Sequence, residues 1–158
     1  MRTRGFSLLE TLMYIALFGV IMQGAFAGIV AISESAERNQ AKAYIEEEGD
    51  FLVAKISYEI SQASSTEISP EKSTQINLAR DNGEDISIES NDGGLFITRG
   101  DSTPVEFSSN RVSVSDFVFK KVANGTTQSI VFSFTLQAPS EGGRLVSEDF
   151  TGSSFPNL

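Results

Sequence analysis

The chain has no cysteine, no histidine and no tryptophan among its 158 residues. Without cysteine there is neither a disulfide staple nor a thiolate. Without histidine the commonest general base, most zinc ligand sets and the Ser-His and Cys-His nucleophile pairs are gone. Proline is scarce too: there are 4 in all, and none falls between Phe6 and Ser69. Nothing in that span removes a backbone donor, so a long helix can run through it unbroken. Basic residues are the third shortage, 12 Lys and Arg against 21 Asp and Glu, a formal net charge of -9. Phosphate backbones require a basic surface, so direct nucleic-acid binding is not expected. No cofactor and no enzyme activity are expected either, because the remaining carboxylates form no pattern that marks a pocket.

Charge of either sign is absent from Leu12 to Ile32. At about 1.5 Å rise per residue these positions cover the roughly 30 Å hydrocarbon core of a bilayer. Arg2 and Arg4 precede the run, so the basic side is expected to stay in the cytoplasm and everything after Ile32 to lie outside the cytoplasmic membrane. The remainder, 40% apolar over the whole chain, suits one small head domain. Glu10 breaks the pattern of a plain anchor, since a carboxylate at that depth costs a few kcal/mol unless it meets a cation. A secretory signal peptide would be cut after its apolar region, and no A-x-A-like site follows Ile32. An uncleaved signal anchor has the same hydropathy but no need for Glu10.

The block Gly5-Phe6-Ser7-Leu8-Leu9-Glu10, with a short basic leader before it and the apolar run after it, resembles the type IV prepilin processing motif. The resemblance implies that a membrane-embedded prepilin peptidase cuts after Gly5 and methylates the new amine on Phe6. It further implies that Glu10 pairs with that amine, on the same or a neighbouring subunit, during filament assembly. The physical chemistry agrees, because cleavage creates an ammonium in or near the membrane one helical turn from a carboxylate that needs it. Removing residues 1–5 leaves 10 basic and 21 acidic residues, a formal charge of -11. Many major pilins carry a proline in this part of the helix. Here any bend is expected at Gly24 and Gly28 instead.

After Ile32 the sequence is rich in Ala, Glu, Lys and Gln, all helix formers. Ala41, Ile45, Gly49, Leu52, Ile56, Ile60 and Ala63 recur at spacings of three and four, which predicts a helix from Phe6 to about Ala63 with an apolar stripe on its second half. Tyr44, Phe51 and Tyr58 are expected to widen that stripe, and Glu46-Glu47-Glu48 to form a solvated face. Beyond Ser64 the period turns toward two. Strands are predicted over 75–79, 85–89, 94–98, 105–108, 111–119 and 129–136, joined by Asn82-Gly83, Asn91-Asp92-Gly93-Gly94 and Asn124-Gly125 turns. One short strand near 144–150 and a loose end are expected in the Gly-, Ser- and Pro-rich tail. The fold class is therefore α+β: a long N-terminal helix packed on a small antiparallel meander. The organisation is leader 1–5, transmembrane and assembly half 6–32, amphipathic half 33–63, head 64–138 and tail 139–158.

Two short motifs in the head have a bland and a sharp meaning. Asp81, Asn82 and Asp85 cluster oxygens as calcium loops do, but the full loop spacing is missing and turn chemistry explains them more cheaply. Arg99-Gly100-Asp101 spells an integrin-type tripeptide in a segment that already reads as a turn. The run from Gly93 to Val122 is similar to the minor pilins and pseudopilins of the group containing the J-type pseudopilin of type II secretion and the W-type minor pilin. Asn110, Val112, Val114, Phe117 and Phe119 take the places of its Asn-x-Val-x-Val turn and aromatic pair. The resemblance implies the pilin fold and partners among other pilins in a pilus, a pseudopilus or a tip complex. A tip module for adhesion or DNA uptake, and a tethered sensor or enzyme, are the alternatives.

Overall fold

The computed structural model describes residues 8–68, 74–124, 127–140 and 143–157. Among these residues one helix, α1 (Leu8–Ser61, 54 residues), precedes eight strands. The chain divides into two units, residues 1–39 and 40–158. In the first, every residue from Leu8 to Ala36 is exposed. The helix is long and apolar enough to cross a membrane, and none of its most apolar window is buried. Helical structure continues through Gly24 and Gly28 without interruption.

The second unit holds the core. Ala41, Ile45, Gly49, Leu52, Ile56 and Ile60 of α1 are all buried, so the predicted stripe is the packed face of the helix. Burial of each large aliphatic side chain contributes about 1.5 to 3 kcal/mol. Gly49 has a packing reason: a Cβ there would come within 2.1 Å of the Phe150 ring, so the missing side chain lets that ring lie against the helix. Tyr44, Phe51 and Tyr58, expected in the stripe, are instead exposed. Each precedes a buried residue (Ile45, Leu52, Glu59) by one position, and one position is about 100° round the helix. The helix ends as its last turn tightens, with the Ala63 amide donating to the Ile60 carbonyl at 3.1 Å.

The predicted single meander is divided into two antiparallel sheets. The first, in order, is β1 (Ser65–Ile68), β2 (Gln75–Ala79), β3 (Asp85–Asn91), β4 (Gly94–Arg99) and β5 (Val105–Glu106). Ile76, Ile88 and Ile97 lie in register across three strands and are buried, as are Leu78 and Ile86. The β3–β4 hairpin turns on Asp92 and Gly93 at φ 51° and 80°, the primed geometry that matches strand twist. Its length follows from Asn91 pairing with Gly94. The strand predicted over 105–108 stops at Glu106, because the Ser108 hydroxyl accepts the Leu95 amide and takes the place of a ladder carbonyl.

The second sheet is β6 (Ser113–Asn124), β7 (Thr127–Pro139) and β8 (Leu145–Ser154). A bulge between Ser115 and Val118 inserts one residue into β6, with Asp116 at φ 52°. The extra residue reverses the alternation, so that Val112 and Val114 before it and Phe117 and Phe119 after it are all buried. Phe117, Phe119, Phe132, Phe134 and Phe150 then meet ring to ring at centroid distances of 4.8 to 6.5 Å. The short strand expected near 144–150 is present as β8 but runs on through the expected loose end to Ser154, 10 residues paired with β7 along their whole length. Both sheets and α1 share one hydrophobic cluster. The Asn124-Gly125 turn lies partly outside the described residues.

Candidate functional site

Gly5, Phe6, Arg2 and Arg4 lie outside the described residues. Glu10 is described, and it is the acidic residue of the first turn of α1. Thr11 closes that turn through its hydroxyl, which donates to the Leu8 carbonyl at 2.8 Å. The next charged residue along the chain is Glu34. The first unit therefore presents a carboxylate followed by a long uncharged, outward-facing apolar surface.

The head motifs resolve as turns. Asn82 spends its Oδ1 on the Glu84 amide at 3.1 Å, and Gly83 follows at φ 78°, so the residues offered as calcium ligands build the β2–β3 turn. Among the described residues no group of three or more His, Cys, Asp or Glu side chains could hold a metal ion. Arg99 of the Arg99-Gly100-Asp101 turn reaches back to the helix, with its Nη2 3.0 Å from Glu59 Oε1.

Glu59 is the polar centre that the sequence reading missed. It is 1% exposed within an otherwise apolar stripe, and three cations converge on it. Lys55 Nζ lies 3.0 Å from Oε1 one turn back on the helix, Arg99 Nη2 lies 3.0 Å from the same oxygen, and Arg80 Nη2 bonds Oε2. A buried carboxylate is retained only when its lone pairs are met by donors of this kind. The arrangement ties α1 to the ends of β2 and β4, and its role is structural. A signal did exist: Glu59 falls on the line Ile45, Leu52, Glu59 at seven-residue intervals, the line of the core.

The expected solvated face at 46–48 is not uniform. Glu46 pairs with Lys42 at 3.5 Å on the surface. Glu48 is half-buried and its Oε1 accepts the Ser109 amide at 2.7 Å, which fastens the segment between the two sheets to the helix. Beside that bond, Arg111 stacks over the Tyr44 ring at 5.4 Å. A shallow hollow of about 410 Å³ also lies over the outer face of the first sheet, lined by Glu67, Asn77, Asp85, Ser87 and Thr98 among others.

No family model, curated protein or solved structure matches the chain.

Proposed function

We propose that this chain is a minor pilin or pseudopilin subunit. On this proposal prepilin peptidase processes it after Gly5, and it joins a type IV pilus, a type II secretion pseudopilus or a related tip complex through the first half of α1. The observation that carries the proposal is the order Gly5-Phe6-Ser7-Leu8-Leu9-Glu10 at the head of an uncharged helical run. An α+β head with one long helix on antiparallel sheets supports it as architecture. In the cytoplasmic membrane the chain is a single-pass protein, basic end inside and head outside, until it enters the filament.

Cleavage after glycine follows from the lack of a side chain, which lets the protease approach the peptide bond closely. Protein from cells that contain the peptidase is expected to begin at Phe6 with a methylated amine, and Gly5→Val to retain the leader. Intact-mass measurement decides between them. A wild-type N-terminus at Met1 counts against the proposal.

Glu10 carries the assembly step. A carboxylate in the apolar layer is costly unless a cation meets it, and the cation that processing creates is the Phe6 amine. Glu10→Ala is therefore expected to insert in the membrane at least as well as wild type and to be cleaved normally, while co-purifying poorly with partner pilins. Co-immunoprecipitation at equal membrane abundance reads this. Full retention of partner contacts by Glu10→Ala shows that the residue is not an assembly charge.

A further inference from the structure

Each sheet ends in two edge strands, β1 and β5 in the first and β6 and β8 in the second. Unpaired edge groups invite a further strand, so folded chains shorten, bend, charge or cover their edges. Among the described residues three of these edges are guarded. β1 has 4 residues and β5 only 2. β6 is bulged at Asp116, its Val114 amide donates to Gly93 of the β3–β4 turn at 2.8 Å, and Lys120 and Lys121 follow. β8 carries none of these devices. Its 10 residues pair one for one with β7 without a register shift, and they include no lysine and no proline.

The side chains of β8 are as unfinished as its backbone. Glu148 is core-facing, and its Oε2 is buried with no hydrogen-bond partner among the described residues. Asp149 lies on the opposite face, where its Oδ1 accepts the Thr135 hydroxyl at 2.7 Å and its other oxygen is left over. Among the described residues neither carboxylate forms an ion pair. Leu145 and Phe155 bracket the strand, 69% and 60% exposed. We propose that β8 is a docking edge for an extended segment of another protein, which adds as a fourth strand of the second sheet. Two consecutive basic residues, one toward each face, meet Glu148 and Asp149, and a large apolar residue near each end covers Leu145 and Phe155. Main-chain bonds supply the affinity, and these side chains supply the choice of partner. A second copy is the poorer occupant. Its own β8 brings the same two carboxylates without a lysine or arginine, and its β6 is bonded to Gly93. The inference does not depend on processing at Gly5.

The test titrates full-length protein in detergent micelles into a labelled peptide, Phe-Thr-Val-Thr-Lys-Lys-Thr-Val-Thr-Phe. One counterpart has glutamate for both lysines, and another is N-methylated at every amide. The lysine peptide is expected to bind about ten-fold more tightly than the glutamate peptide, and the methylated one not at all. Backbone amide exchange at 145–154 is expected to slow with the lysine peptide bound, while 65–68 and 105–106 stay unchanged. Glu148→Gln combined with Asp149→Asn keeps the side-chain shapes and is expected to weaken binding of the lysine peptide several-fold. If that variant does not fold, the peptide series on the wild-type chain still decides. Equal binding of the lysine and glutamate peptides, binding of the methylated peptide, protection away from β8, or no binding overturns the inference. Protection of 145–154 that rises with protein concentration in the absence of peptide gives the edge to a second copy, and overturns it as well.

Discussion

Glu59→Ala in a fragment beginning near Ser33 is expected to lower stability by roughly 3 kcal/mol, about 10 °C in melting temperature for a head of this size. The figure sits at the lower end of what removing one partner of a buried ion pair costs. Lys55 and Arg99 are 33% and 45% exposed, and water takes over when the carboxylate goes. Arg80 is worse placed. It is 19% exposed, its Nε has no hydrogen-bond partner among the described residues, and its other ion partner, Glu84, is 3.7 Å away. Arg99→Ala, by contrast, is expected to cost no more than about 1 kcal/mol, since half of its guanidinium interaction is screened by solvent. Thermal unfolding followed by circular dichroism tests the pair. If Glu59→Ala melts with Arg99→Ala, within about 2 °C of wild type, the cluster does not hold the helix to the sheet.

Leu52→Ala is expected to cost about 2 to 5 kcal/mol in the same fragment. Leu52 is fully buried in the shared cluster, and the removed atoms leave a void that a sheet on either side cannot close without moving its strands. Glu47 is exposed, and Glu47→Ala is expected to stay within about 0.5 kcal/mol of wild type. Lys55 cannot serve as a second neutral control, because it is bonded to Glu59. Equal midpoints for Leu52→Ala and wild type in urea would mean that the stripe does not pack on the sheets.

The helix and most strands were legible because their signals are local. Ile45, Leu52, Ile56 and Ile60 announce their face by spacing alone, and β2 was predicted at its observed bounds because Ile76 and Leu78 alternate with polar neighbours. Only the first part of β8 was legible, because of its core-facing positions Val146, Glu148, Phe150, Gly152 and Ser154 the two that are apolar and large, Val146 and Phe150, lie there. Its place is set by β7, where the Phe132 ring covers Gly152 so closely that a Cβ there would meet it at 2.2 Å. β1 hid likewise, as a polar edge strand whose Ser65 and Thr66 read as a break. The split into two sheets depends on the Ser108 hydroxyl and on Glu48 holding Ser109, contacts across 13 and 61 positions that no window of sequence contains. Of the candidate site, the Gly5 to Glu10 order was visible at once, while two of the three cations around Glu59 come from β-strand ends 21 and 40 positions away.

The Ser154 hydroxyl donates to the Ser57 carbonyl at 2.9 Å across 97 positions, and the Asn157 amide donates to the Ala63 carbonyl at 2.9 Å. The last strand thus finishes the far end of the first element. A formed helix cannot have Phe150 sealed over Gly49 until β8 has paired with β7. Loop closures of this length are slow relative to hairpin formation. The head is therefore expected to close late in folding, and until β8 is in place the aromatic cluster of β6 and β7 stays uncovered.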